Sequence, residues 1–260
     1  MGWQSKLFCF SAFTRLGQRP TVIVHRTPHP LRPEFLALQR HGFRIVEVPS
    51  FSAHPKGQYP PRNELGSLLT ISSLTNSDFD YVLFCEPDML FITPPMYGNC
   101  ALAGEFYSYL DYRDEHVRAV AQRLGVNHLV DELNRASRIG VPYLLPTIHL
   151  KTIANGWFEV LDAFEKLMWI DIMYAFGIAL IRQKLYATTT HMMHDNHRPT
   201  DLVTRNLIHY CYGGPIWDKR AFTLRSPFDV PDESLAPGGP GTIQAEIVTQ
   251  IREAREFYGA

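Results

Sequence analysis

Apolar and polar residues run along this chain in short blocks of two kinds. Residues 7–16 are apolar-rich with helical spacing, and Gln18-Arg19-Pro20 closes them. Thr21-Val22-Ile23-Val24-His25 is a run of the kind that makes a buried strand. A short helix is predicted over residues 34–41 and a second strand over 43–48. Residues 50–61, rich in Pro, Gly and Ser, read as a loop. A helix follows over 63–74, with Asn63 as its N-cap. Asp80-Tyr81-Val82-Leu83-Phe84-Cys85 is the strongest strand, and it stops at Glu86-Pro87-Asp88. Residues 89–92 are another apolar run. Beyond it the pattern predicts polar helix over 111–136, a strand over 142–145, and helices over 149–166 and 168–185. Strands over 186–193 and 206–212, a Pro- and Gly-rich loop over 227–241, and a final amphipathic helix over 242–258 complete the chain.

Strands alternating with helices predict an α/β architecture with a central, mostly parallel sheet flanked by helices. No internal repeat or linker divides the pattern, so one domain over 1–260 is expected. Composition supports a globular chain: 45% apolar and 20% charged residues exclude a disordered or collagen-like protein. The formal net charge of -1 gives no reason to expect nucleic acid or an acidic membrane as partner. The four cysteines, at 9, 85, 100 and 211, form no C-x-x-C pair, which disfavours a zinc knuckle and fits free thiols. No stretch approaches the roughly 20 apolar residues of a membrane span. The start lacks the apolar core of a signal peptide, so a cytoplasmic location is expected, or the Golgi lumen for a trimmed eukaryotic chain.

The chemistry concentrates at two places. Glu86-Pro87-Asp88 sits just past a strand, where open α/β sheets bind ligands. Two carboxylates two residues apart can meet at one hard cation, and Pro87 stiffens the turn between them. Oxygen ligands suit Mg²⁺ or Mn²⁺, which also bind phosphates. The plain alternative is a turn with two solvated carboxylates. Downstream, His209 and Tyr210 lie within the strand over 206–212, which ends in a flexible turn at Gly213-Gly214, and Trp217-Asp218-Lys219-Arg220 comes next. A neutral imidazole at His209 is a third ligand acceptable to Mn²⁺. Lys219 and Arg220 suit a diphosphate, and Gly213 lets backbone come close to a ligand. The alternative there is a core histidine with a solvated basic pair. His191, His194 and His197 invite a zinc hydrolase, but their spacing fits neither H-E-x-x-H nor a finger, and a polar loop is the better reading.

The chain resembles the hydroxyproline O-arabinosyltransferases and the related peptidyl-serine galactosyltransferases. The resemblance rests on the segment from Tyr59 to Asn63, on Tyr81-Val82-Leu83-Phe84-Cys85-Glu86-Pro87-Asp88, and on Ile139-Gly140 with Pro142. It continues through Lys151-Thr152-Ile153-Ala154, Trp157, Trp169 with Met173-Tyr174, Ile208-His209-Tyr210, and Asp218-Lys219-Arg220 with Leu224-Arg225. It implies a GT-A-like nucleotide-diphospho-sugar transferase fold. The family has a strand ahead of the Trp3-Gln4 helix that this numbering begins without. The implied reaction is retaining transfer of arabinose or galactose from a UDP-sugar, with Mn²⁺ or Mg²⁺, to the hydroxyl of a peptide, glycan or small molecule. Glu86, Asp88 and His209 would hold the metal. Asn63, Tyr210, Gly213, Trp217, Lys219 and Arg220 would bind the donor, with Trp217 also near the acceptor. Asp171 and Asp201 are the catalytic candidates. The family has a glutamate where this chain has Ile172, and Asp171 stands one residue earlier. A non-catalytic nucleotide-sugar-binding protein is the alternative from another class.

Overall fold

The computed structural model describes residues 2–74, 79–195, 200–210, 218–223, 225–235 and 238–259. The chain begins with α1 (Gly2–Leu16), β1 (Thr21–His25), α2 (Pro33–Arg40) and β2 (Arg44–Val48). A small hairpin, β3 (Ala53–His54) and β4 (Gly57–Gln58), leads to α3 (Arg62–Leu74) and β5 (Tyr81–Phe84). Then come β6 (Met89–Phe91), β7 (Ala103–Phe106), α4 (Glu115–Arg123), α5 (Val130–Ala136) and β8 (Ile139–Pro146). The remainder is α6 (Leu150–Asp162), α7 (Asp171–Arg182), β9 (Thr188–Thr190), β10 (Met193–Asp195), β11 (Leu207–His209) and α8 (Ile243–Tyr258). These elements fall into two compact units.

The first unit joins three stretches, Met1–Glu47, Glu86–Met96 and Met192–Ala260. Its three-stranded sheet has the order β10-β11-β6, with β10 parallel and β6 antiparallel to β11. The apolar faces of α1 and α8 close over it. Trp3, Leu7, Phe10, Leu90, Ile208, Tyr210, Ile247 and Ile251 form one buried cluster. Each fully buried aliphatic side chain there contributes roughly 1.5–3 kcal/mol. The free edge of β6 is satisfied by side chains. Phe91 N donates to Ser11 Oγ at 3.2 Å, and Gln250 Nε2 donates to Phe91 O at 3.0 Å. An edge strand would otherwise leave these groups unpaired in the core. The helix α8 starts at Thr242, whose hydroxyl accepts from Ala245 N, and ends at Gly259 in the left-handed region that glycine tolerates. The strands β1 and β2 form a separate pair, and Cys9, Phe35, Leu38 and Phe43 make a second small core.

The second unit comprises Val48–Cys85 and Tyr97–His191. Its sheet has the order β5-β8-β7-β9. Both neighbours of β8 run antiparallel to it, and β9 runs parallel to β7. Tyr143 of β8, Trp157 of α6 and Phe176 of α7 pack ring on ring, with centroids 4.1 to 6.0 Å apart. The Trp157 indole donates to Ile172 O at 2.7 Å, which satisfies the polar edge of a fully buried ring.

The predicted mostly parallel central sheet is therefore corrected. The sheets are small and mixed, because the apolar run after the acidic turn pairs with β11 in another sheet, and β8 inserts antiparallel between β5 and β7. Residues 111–136 are also not one helix: Gly125, at a φ of 75°, separates α4 from α5. The strand expected over 186–193 divides into β9 and β10, which belong to different sheets. The strand β7 carries Glu105 in its middle and no apolar alternation, and the pattern did not reveal it. No helix among the described residues is long and apolar enough to cross a membrane.

Candidate metal and anion site

The acidic turn is placed by strand pairing. Met89 opens β6 opposite His209, the last residue of β11. One step further, Tyr210 N donates to Asp88 O at 3.0 Å. The Tyr210 hydroxyl donates to Pro87 O at 3.3 Å, so both backbone and side chain of Tyr210 hold the turn. Trp3 of α1 stacks on the Tyr210 ring, with centroids 5.8 Å apart and planes 20° apart. Antiparallel register thus brings together residues more than a hundred positions apart. Glu86, Asp88 and His209 each offer one ligand atom, and these atoms lie within 4.8 Å of one another. It is the one such group of three among the described residues.

His209 Nε2 lies 3.2 Å from Glu86 Oε2 and 3.5 Å from Asp88 Oδ1. Asp88 and His209 are buried, at 7% and 6% exposure, while Glu86 is partly open to solvent. The Lys219 ammonium contacts the other oxygen of Asp88. Burial opposes the charge on Asp88. The hydrogen bond from His209 and the charges of His209 and Lys219 outweigh it, and the carboxyl titrates well below its ordinary value. Burial likewise works against a charged His209, but its bonds to Asp88 and Glu86 raise the imidazole well above the ordinary value. With both carboxylates against it, the imidazole is favoured in its charged form. Two carboxylate oxygens and an imidazole nitrogen converging on one point suit Mn²⁺ or Mg²⁺ chemically.

The remaining candidates are distributed as follows. Lys219 and Arg220 lie in a short turn, Lys219–Phe222, started by Asp218, whose side chain accepts from Arg220 N at 2.8 Å. The exposed Arg220 guanidinium donates back to both Asp218 oxygens at 2.9 Å. Gly213 and Trp217 lie outside the described residues, as does His197. His194 Nε2 accepts from Thr204 N at 2.9 Å, and the His191 ring packs on Phe106. Asp201 is exposed, and its backbone carbonyl accepts from Ile243 N at 2.9 Å. Asn63 is not an N-cap: α3 begins at Arg62, and Asn63 Oδ1 accepts instead from Phe51 N at 2.8 Å. That bond ties the preceding loop to the helix.

Asp171 is 0% exposed and opens α7 in the second unit. Its carboxylate accepts from Met168 N at 2.7 Å and meets His116 Nε2 at 3.1 and 3.2 Å. Burial raises its pKa against the lowering effect of those two bonds. The partner His116 stands 55 positions away on α4 with no motif to mark it. Nothing in the sequence marks Trp3 as the support of the acidic turn either.

The chain matches a family of glycosyltransferases. The match is to the hydroxyproline O-arabinosyltransferase family N-terminal domain, over residues 68–190. It covers a little under half of the 260 residues, includes Glu86-Pro87-Asp88, and ends before His209. The resemblance read from the sequence holds over that stretch. No curated protein matches the chain.

Proposed function

We propose that this protein is a metal-dependent glycosyltransferase that moves a sugar, arabinose or galactose, from a UDP-linked donor to a hydroxyl acceptor with retention. The convergence of Glu86, Asp88 and His209 carries this reading, since the two carboxylates stand in the turn between β5 and β6, His209 ends β11, and the three ligand atoms lie within 4.8 Å of one another. Mn²⁺ or Mg²⁺ bound there would neutralise the charge that develops on the departing diphosphate. Asp88, the most buried carboxylate of the set, orients the site and is a direct ligand. Glu86, more exposed, faces solvent and completes the ligand set. Lys219 would exchange its contact with Asp88 for one with a phosphate oxygen, and Arg220, paired with Asp218, would add a bidentate guanidinium. Tyr210 holds the acidic turn, and Gly213 and Trp217 belong to the adjoining donor segment. Asp201 lies on the acceptor side. Asp171 orders the start of α7 together with His116.

A second reading, non-catalytic binding of a nucleotide sugar, is favoured by one observation: the Lys219 ammonium already neutralises Asp88. Thermal unfolding with UDP, with and without Mn²⁺, separates the two. The transferase reading expects stabilisation that needs both Mn²⁺ and Asp88. Stabilisation by UDP that ignores Mn²⁺ supports the binding protein, and no shift in either condition removes the donor assignment. Mass spectrometry of turnover over a panel of UDP-sugars, with water and hydroxyproline peptides as acceptors, then identifies the sugar.

A further inference from the structure

A cavity of about 670 Å³ opens in the second unit, between the loop before α4 and the segment that joins α5 to β8. Asp111, Arg113, Asp131, Asn134, Arg135 and Arg138 line it. Three guanidiniums face two carboxylates there, so the wall carries net positive charge. The wall has no apolar side chain, which disfavours a lipid or an aromatic ligand.

The three arginines are not equivalent. Arg113 is committed to Asp131, with Nη2 and Nε donating to one carboxylate oxygen at 2.9 and 3.2 Å. Asp111 is tied locally, since its Oδ1 accepts from Arg113 N at 3.0 Å. Arg135 is exposed. Arg138 has a buried Nε with no hydrogen-bond partner among the described residues. A buried donor without an acceptor is costly, and of the cavity carboxylates Asp111 lies close enough to interact with the Arg138 charge.

The framework around Arg138 is already rigid. Its backbone carbonyl accepts from Tyr107 N at 2.9 Å, and the carbonyl of Ser137 accepts from the buried Tyr112 hydroxyl at 2.7 Å. The Arg138 guanidinium lies 5.2 Å from the centre of the Phe106 ring. Across the cavity, Asn134 Oδ1 accepts from Tyr112 N at 2.9 Å, and Asp111 N donates to the Tyr174 hydroxyl at 3.1 Å. The backbone that carries Arg138 is therefore anchored, while the exposed Arg135 is ordered only on binding.

We propose that this cavity binds a small oxyanion, a phosphate or carboxylate group, gripped by Arg138 and Arg135 beside the fixed Arg113–Asp131 pair. The planar fork of a guanidinium matches two oxygens of such a group. The site lies in a different unit from Lys219 and Arg220 and stands apart from the transferase reading.

The test titrates inorganic phosphate and acetate separately into the full chain at constant ionic strength, following the arginine Nε–H resonances by NMR. Arg138→Lys assigns the Arg138 signal. A saturable shift of that signal is expected with at least one anion. Saturation by phosphate alone identifies a phosphoryl ligand, by acetate alone a carboxylate ligand, and by both the shared oxyanion chemistry. The double variant Arg135→Gln/Arg138→Gln is expected to bind roughly tenfold or more weakly. Should that variant fail to fold, the exposed Arg135→Gln alone carries the same expectation with a smaller loss. Shifts that stay linear with both anions, or saturable binding that survives intact in the variants, overturn the proposal.

Discussion

At the scale of single residues, the candidate metal site is a balance of three charges and one proton. His209 holds its proton because Glu86 and Asp88 sit against it, and a metal ion must displace that proton to bind. Metal affinity should therefore fall as pH falls, and Mn²⁺ binding should release protons. Calorimetry of Mn²⁺ binding in two buffers of different ionisation enthalpy measures that release directly, and an identical heat in both would contradict it. Asp88→Ala should weaken Mn²⁺ binding by about 10–100-fold or more, since even supporting groups of metal sites are worth that much. Asp171 gives a different pH signature. Its folded pKa lies above the ordinary 3.8, so the folded state holds the proton more tightly than the unfolded chain. Its contribution is most favourable below the ordinary value and is lost as pH rises through the raised one. Asp171→Asn should flatten that acid-side dependence in urea unfolding measured across pH.

At the scale of elements, helix contact depends on small residues at particular points. A Cβ on Gly177 in α7 would approach the Tyr112 hydroxyl to 2.0 Å and the Ser137 Cβ to 2.9 Å. Tyr112 is fully buried and bonds the Ser137 carbonyl, so it cannot swing aside without losing that bond. Gly177→Ala should cost about 1–3 kcal/mol by overpacking, although alanine is the better helix former. Denaturant unfolding reads the difference. A neutral or stabilising result would mean that Tyr112 has room to move. Elements also account for how the site was readable. The strand that leads to Glu86 and the one that contains His209 both showed in the hydrophobic pattern, and so did the two acidic residues between apolar runs. The strand β7 did not show, because Gly104 and Glu105 interrupt any alternation, and its pairing with β8 carries a register shift at that point.

At the scale of the molecule, residues from both ends of the chain build the unit that carries the site. Trp3 stacks on Tyr210 and donates its indole N–H to Phe222 O at 3.2 Å. Tyr210 in turn holds the acidic turn. Trp3→Ala should destabilise this unit by about 3–5 kcal/mol. It should also weaken Mn²⁺ binding, though no atom of Trp3 belongs to the ligand set. Calorimetry at a temperature where the variant is still folded, verified by circular dichroism, separates the two effects. Unchanged affinity in the folded variant would confine Trp3 to stability.

What the sequence determined by itself was local: the kinds and order of most elements, the acidic turn between two apolar runs, and a resemblance that holds over residues 68–190. Hydrophobic periodicity specifies which face of an element is buried, so these features survive without knowledge of the partners. Strand direction and register are different, because a parallel and an antiparallel neighbour bury the same alternating face. The mixed order β5-β8-β7-β9, the pairing of β6 with β11, and the proximity of Glu86 to His209 were therefore decided only in three dimensions. The same holds for the cavity around Arg138, whose charged residues look in sequence like an ordinary solvated helix face. Only the fold brings them around one cavity and buries the Arg138 Nε.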